Sequence, residues 1–312
     1  MKINSWLKYF LPLSVVSLVL KLNLVVRFLF SRKKLTTSHD FEEPFFIIGY
    51  GRSGNTLLRS MLISGEEVSI PPESYVLPRL IKLHKKYNFL PWSDLTSIIV
   101  GEFESYPEFF TWEIDLINAK KNIRNLPTSK QTLSHIINEI YKDYTIQKHN
   151  KYMKWGDKTP VNLRFIDKLL KVYPNAKFIY IKRNPKDAIS SALKNNIYKD
   201  LNQALYFYEI CHKKINFLRK HTSVNQIIEV NYEDLVSKPI VNLQHVCDFL
   251  NISYSEKMLE FWNKKNELGD VNVHEHHNNI GNPLNTKSIG KWKKLLTKNQ
   301  VIKIDKRLNK LS

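Results

Sequence analysis

Cysteine is nearly absent from this 312-residue chain: only Cys211 and Cys247 occur, in neither a CxxC nor a zinc-type spacing. That argues against a disulfide framework and leaves two buried thiols in a reducing compartment as the simplest reading. No segment repeats at a period of 20 to 50 residues, which argues against a solenoid. Long apolar runs are missing too. The longest uncharged apolar stretch, residues 9–20, falls short of the ~20 residues that cross a bilayer. Acidic residues are absent from positions 1–34, a segment that carries Lys2, Lys8, Lys21, Arg27, Arg32, Lys33 and Lys34.

The shortage of acid extends over the whole chain, with 48 Lys and Arg against 29 Asp and Glu, a formal net charge of +19. Such a balance favours anionic partners: phosphates, sulfates, acidic polymers or anionic lipid. Part of it is Lys scattered among Asn and Ile, a compositional bias rather than a site. The aromatics of residues 87–112 accompany no nucleic-acid motif, so nucleic acid is not an expected partner.

In the N-terminal segment, Ser14, Ser17, Lys21 and Arg27 read as a thin polar stripe on a helix. Leu11, Val15, Leu18, Leu22, Val25 and Leu29 face away from it. That pattern predicts an interfacial helix with a basic face. A signal anchor and a helix docked on the domain are the competing readings. The expected organisation is a membrane-associating or docked helix over 1–34, a linker over 35–43 and one catalytic domain over 44–312. The expected location is cytoplasmic, at a membrane.

The body alternates strands and helices. Phe45-Phe46-Ile47-Ile48 reads as a buried strand, followed by a glycine loop and a helical pattern. Further strands are expected near 151–155, 177–181 and 226–230, with helices over 75–87 and 200–220 and near 239–250, 254–265 and 297–310. Thr128 with Gln131, and Ser253 with Glu256, have capping-box spacing. Thr159 before Pro160 suits a helix cap. The expected fold is α/β: a P-loop-type, mostly parallel sheet with helices on both faces. Its ligands would bind beyond the carboxyl ends of the strands.

Gly49-Tyr50-Gly51-Arg52-Ser53-Gly54-Asn55-Thr56 keeps the GxxxxGK[ST] spacing, except that Asn55 stands where the Lys would be. Glycines that turn backbone N–H groups inward, and the helix N-terminus behind them, still make a cradle for a phosphate-sized anion. Ser53, Asn55 and Thr56 add polar side chains, and Arg52 adds a cation at a different position. Loss of the Lys points away from ATP or GTP hydrolysis and toward another phosphorylated donor.

Four blocks occur in order. PFFIIGYGRSGNT (44–56) resembles the 5′-phosphosulfate loop of sulfotransferases that use 3′-phosphoadenosine-5′-phosphosulfate (PAPS). KFIYIKRNPKDAISS (177–191) resembles their 3′-phosphate segment. NYEDL (231–235) and SIGKWK (288–293) resemble two later stretches of the family. PESYVLPR (72–79) is similar to the tyrosylprotein and bacterial carbohydrate members.

The resemblance implies roles for named residues. Arg52, Ser53, Gly54, Asn55 and Thr56 would hold the 5′ end of PAPS. Arg183 and Ser191 would grip the 3′-phosphate, the Arg through its planar fork. Tyr232 would contact the adenine, and Ser288 and Lys291 would close over the 3′-phosphate. Glu73 would be the catalytic base, its carboxylate taking the acceptor proton. Lys158 and Arg52 would stabilise charge on the bridging oxygen. His84 is a second candidate base. Asn195 departs from the family, whose members often carry a basic residue there. His274, His276 and His277 beside Glu275 could hold a metal, but no partner cluster is evident and the family needs none.

The expected activity is sulfuryl transfer from PAPS to a hydroxyl of a carbohydrate or glycolipid. Protein tyrosine is the alternative acceptor, and a P-loop kinase or NTPase is a more distant one. A homodimer is left open.

Overall fold

In the computed structural model, residues 12–37, 41–270 and 281–311 are described. The sheet is built from β1 (Phe45–Gly49), β2 (Val68–Ser69), β3 (Lys154–Asp157), β4 (Lys177–Lys182) and β5 (Ile227–Asn231). Its order is β2-β3-β1-β4-β5, and every neighbouring pair is parallel. In β1 and β4 the register pairs Phe46 with Phe178 and Gly49 with Ile181. The two-residue β2 was not expected; it is too short for any periodicity to show.

The helices in chain order are α1 (Leu13–Phe30), α2 (Asn55–Ser64), α3 (Leu77–Tyr87), α4 (Trp92–Glu104), α5 (Ile117–Arg124), α6 (Leu133–His149), α7 (Ile166–Leu169), α8 (Pro185–Lys194), α9 (Leu201–His221), α10 (Tyr232–Ser237), α11 (Pro239–Leu250), α12 (Trp292–Leu295) and α13 (Lys298–Leu308).

Alternation along the strands divides the core in two. Phe46, Ile48 and Phe178 face a large apolar cluster filled from α3, α4, α5, α6 and α9. Phe45, Ile47, Ile179 and Ile181 face a smaller one filled from α2, α10, α11 and the 3-10 segment Glu256–Leu268. All of β1 is buried. Each of its large side chains contributes roughly 1.5–3 kcal/mol by leaving water. Burial on both faces is why β1 reads as an unbroken apolar run rather than an alternating one.

Three expected caps differ. The helix expected from Thr128 begins five residues later, after a 3-10 turn at Thr128–Lys130; Thr132 caps it by accepting from His135 N. Ser255, not Ser253, caps the segment beginning at Glu256, accepting from Lys257 N. Thr159 precedes the 3-10 turn Pro160–Phe165 without capping it; its hydroxyl accepts from Ser74 N at 3.3 Å. In each case a neighbouring hydroxyl or backbone donor competes for the same bond, which spacing alone cannot rank.

Helix α1 has no buried residue. Its mean hydropathy over 18 residues is 2.0, and by length and composition it could cross a membrane. The single stripe is incomplete. At about 100° per residue Arg27 lies about 115° round from the centre of Ser14, Ser17 and Lys21, with Leu13, Leu20 and Leu24 between them; its Nε donates to Asn23 Oδ1 at 2.9 Å. Apolar groups therefore wrap more of the helix than expected. Residues 1–11, including Lys2, Lys8 and Leu11, lie outside the described residues. The connecting segment is docked: Lys33 N donates to Asn88 O, Ser134 N to Leu35 O, and Leu35 and Phe41 pack on the larger cluster.

Candidate active site

All the parallel strands deliver their carboxyl ends to one edge, and a cleft of about 1290 Å³ opens there. Its floor is the turn between β1 and α2. Ser53, 2 % exposed, donates its backbone N–H to Tyr50 O at 3.2 Å. Gly54 has φ +104°, and a Cβ there would lie 2.5 Å from Cδ2 of Tyr232. Only glycine permits both the left-handed backbone and the aromatic ring against it. Asn55 is buried; its Nδ2 donates to Tyr50 O at 3.2 Å and its Oδ1 has no partner among the described residues. The residue in the lysine's place thus braces the loop from behind. The first turn of α2 keeps N–H groups free for an anion.

The two basic segments meet. Arg183 Nη1 donates to Arg52 O at 2.6 Å and Nη2 to Ser288 O at 2.8 Å, while its Cζ lies 4.4 Å from the centre of the Tyr232 ring. Its Nε is buried without a partner among the described residues. Arg52 Nε donates to Ser191 Oγ at 3.4 Å. Arg52 has φ +70°. Burial and the neighbouring Arg183 guanidinium press its pKa below the usual arginine value. Two adjacent guanidiniums, an unpartnered buried N–H and a glycine turn are a fitting receptacle for a phosphorylated ligand. The forked grip expected of Arg183 would require its Nη groups to exchange backbone carbonyls for phosphate oxygens.

Lys158 stands behind the loop with a fully buried side chain. Its Nζ bonds Glu73 Oε1 and also lies 3.3 Å from Thr56 Oγ1. The expected base and the expected charge stabiliser therefore form one ion pair at the wall of the cradle. Tyr75, with φ +49°, donates its hydroxyl to Glu73 Oε2. Burial of that end and the Glu73 charge raise its phenol well above the ordinary range. Tyr75 lay inside the quoted 72–79 motif, but nothing in the spacing marked it.

His84 is elsewhere. It is 1 % exposed in α3, neither ring nitrogen has a hydrogen-bond partner among the described residues, and it does not line the cleft. Burial and the Lys33 charge bring its pKa down to about 4. Burial keeps this imidazole neutral, outside the cleft that Glu73 lines. The cluster His274, Glu275, His276 and His277 lies outside the described residues.

Asp187, Arg164 and Lys194 were not among the expected site residues. Asp187 accepts Gly290 N at 2.8 Å and Trp292 N at 2.9 Å, pinning the C-terminal loop over Arg183. Ser288 and exposed Lys291 reach the cleft rim through that latch. Arg164 lies over Phe207, 3.9 Å from its ring centre, with Lys194 also on the lining. Asn195 donates to Ser191 O at 2.7 Å, fixing the helix turn that carries Ser191.

Comparison with known proteins is consistent with this geometry. A protein-tyrosine sulfotransferase of Drosophila melanogaster is 22 % identical over 282 residues, covering 86 % of this chain and 50 % of that protein. The chain thus spans half the length of that relative. The sulfotransferase domain of the Synechococcus PCC 7002 olefin synthase superposes with a TM-score of 0.60 at 19 % identity, covering 88 % of this chain and 98 % of that one. The sulfotransferase domain from the curacin biosynthetic pathway gives 0.59 at 18 % identity, covering 87 % and 99 %. Residues 44–256 match the sulfotransferase family, a span that holds the glycine loop, Glu73, Lys158, Arg183 and Tyr232, and the chain belongs to that family.

Proposed function

We propose that the chain moves a sulfuryl group from PAPS to the phenolic hydroxyl of a protein tyrosine. The observation that carries this reading is the Glu73–Lys158 ion pair, set against Thr56 of a glycine cradle whose far side is Arg52, Arg183 and Ser191. One cleft thus offers cations for both ends of a doubly phosphorylated nucleoside and a carboxylate beside the reacting end.

The carbohydrate acceptor gives way to tyrosine on two grounds. The similar fly protein is named a protein-tyrosine sulfotransferase. A phenol, with a pKa of about 10, is also a far easier proton donor to a carboxylate than a sugar alcohol.

In the reaction, Glu73 takes the phenolic proton as the phenol oxygen bonds to sulfur. The bond between sulfur and the bridging oxygen breaks, and the electron pair leaves with 3′-phosphoadenosine-5′-phosphate (PAP). Lys158 and Arg52 face that oxygen as its charge grows, where fixed cations in a water-poor site act most strongly. Orientation supplies much of the remainder.

The test is transfer of labelled sulfate from PAPS to a tyrosine peptide, with a sugar acceptor in parallel. Transfer to the sugar alone would overturn the acceptor assignment. Membrane contact is proposed through α1, which buries no residue and leaves Leu18, Leu22, Val25 and Leu29 exposed, while Phe28 meets Phe89 edge-on. Sedimentation of the full chain with phosphatidylcholine vesicles checks this, and a protein left in the supernatant refutes it.

A further inference from the structure

The reacting pair has a buried neighbour that the mechanism above does not use. Arg59, from the middle of α2, is 0 % exposed. Its Nε donates to Ile70 O at 3.0 Å, its Nη2 to Leu268 O at 3.0 Å, and its Nη1 pairs with Asp270 Oδ1 at 2.5 Å. Asp270 is itself 2 % exposed. Its other oxygen, Oδ2, turns the opposite way: it accepts the backbone N–H of Glu73 at 3.2 Å and lies 3.9 Å from Lys158 Nζ. One carboxylate thus splits its two oxygens between a structural cation and the two groups assigned to chemistry.

The local backbone is built to deliver it. Gly269 has φ +66°, and a Cβ there would come 2.4 Å from Thr111 O and 2.9 Å from Pro72 Cγ. The chain passes through a gap that admits only glycine, and Pro72 is the residue next to Glu73. Burial pushes the Asp270 carboxyl upward, but the Arg59 and Lys158 charges outweigh it and hold it down at about 2. It is therefore ionised at neutral pH. Arg59 and Lys158 pair with Asp270 and Glu73 as two cations against two carboxylates, three of the four buried and Glu73 half-buried at the cleft.

We propose that Asp270 is a positioning residue of the reaction: through Oδ2 it fixes the Glu73 backbone and shares the Lys158 ammonium, with Arg59 as its counter-charge. Lys158 is then not given wholly to Glu73. Without Asp270 the ammonium would close on the base alone, and the Glu73 segment would lose its tether. This inference rests on the reading of Glu73 and Lys158 as the base and the charge stabiliser. A buried ion pair is no guarantee of stability, since apolar replacements of similar size are often neutral or better. That separates a positioning role from a packing one.

Two variants of the full chain decide it, assayed with PAPS and a tyrosine peptide. Asp270→Glu keeps the charge for Arg59 but displaces the oxygen that faces Glu73. Its melting temperature should stay near that of the parent while kcat falls roughly 10–100-fold, as for a small misplacement of a reacting group; PAP affinity should change less than about twofold. The pair Arg59→Met with Asp270→Leu removes the buried charges together. It should fold, bind PAP and remain at least tenfold slow. Parental kcat in either variant overturns the proposal and makes Asp270 only the partner of Arg59. Loss of PAP binding with unchanged kcat at saturation also overturns it. Failure of the underlying reading looks different: Glu73→Gln would then turn over normally, whatever Asp270 does.

Discussion

The two ends of the cleft solve opposite electrostatic problems. At the glycine loop, Arg52 and Arg183 lie side by side with backbone carbonyls and Ser191 as partners, and burial, together with the Arg183 charge, lowers the Arg52 pKa. At the wall, buried Lys158, Asp270 and Arg59 and half-buried Glu73 pair off in charge. A surplus of cations stores attraction for an anion that is yet to arrive. A charge-paired set stores geometry instead, because its members already satisfy one another. The first end should govern binding and its salt dependence. The second should govern turnover.

The sharpest way to break that division is Glu73→Gln. Loss of a general base typically costs 10²–10⁴-fold, so transfer to a tyrosine peptide should fall by about 10³-fold. PAP should still bind with little change by calorimetric titration. A Gln variant that loses binding equally would erase the distinction. Next is Arg183→Met, which should weaken PAP by roughly 10–100-fold, the value of one or two charge-assisted bonds. The deficit should shrink as salt rises, since the parent loses more from screening; titrations at two ionic strengths read this. Arg183→Lys should recover only part of the affinity, because a point charge lacks the fork.

A third test uses a buried titratable group away from both ends. His84 is held neutral, with a pKa of about 4 against about 6.5 in an unfolded chain. Between those values the unfolded chain binds a proton that the folded one refuses. Stability is therefore intact above pH 6.5 and declines as pH falls toward 4, by about 1.4 kcal/mol per unit at most. Urea unfolding across this range should show the slope, and His84→Met should flatten it while leaving kcat unchanged. The smallest effect is expected of Tyr75→Phe. Removing one hydroxyl from Glu73 Oε2 should lower kcat less than tenfold, and steady-state rates with PAPS and a tyrosine peptide will show whether the change falls on kcat or on KM.

The same division tracks what the sequence disclosed. Loop, Arg183 and Ser191 lie in contiguous segments where a strand end and a helix start fix the spacing, so position along the chain stands in for position in space. Glu73 and Lys158 were legible through resemblance, though nothing in their spacing placed them on each other. Asp270 and Arg59 were not legible. They are 211 residues apart, and an Asp after a glycine is otherwise an ordinary turn. Tyr75 was hidden because a left-handed φ at a tyrosine has no sequence mark. Among the caps, Thr132 won over Thr128 through a backbone donor, His135 N, that only the helix register selects. The carbohydrate acceptor was expected from the apolar N-terminal helix, a feature that bears on membrane proximity and not on what enters the cleft.

The scarcity of cysteine has a practical side. Burial raises the Cys211 thiol to about 12 and the Cys247 thiol to about 11, so neither offers much thiolate at neutral pH. Val224, 88 % exposed, lies in the turn ahead of β5, at the amino ends of the strands and so at the edge remote from the cleft. A cysteine introduced at that turn would be the one readily alkylated thiol among the described residues, which makes the native chain a ready-made background for attaching a fluorophore or a surface tether without disturbing catalysis.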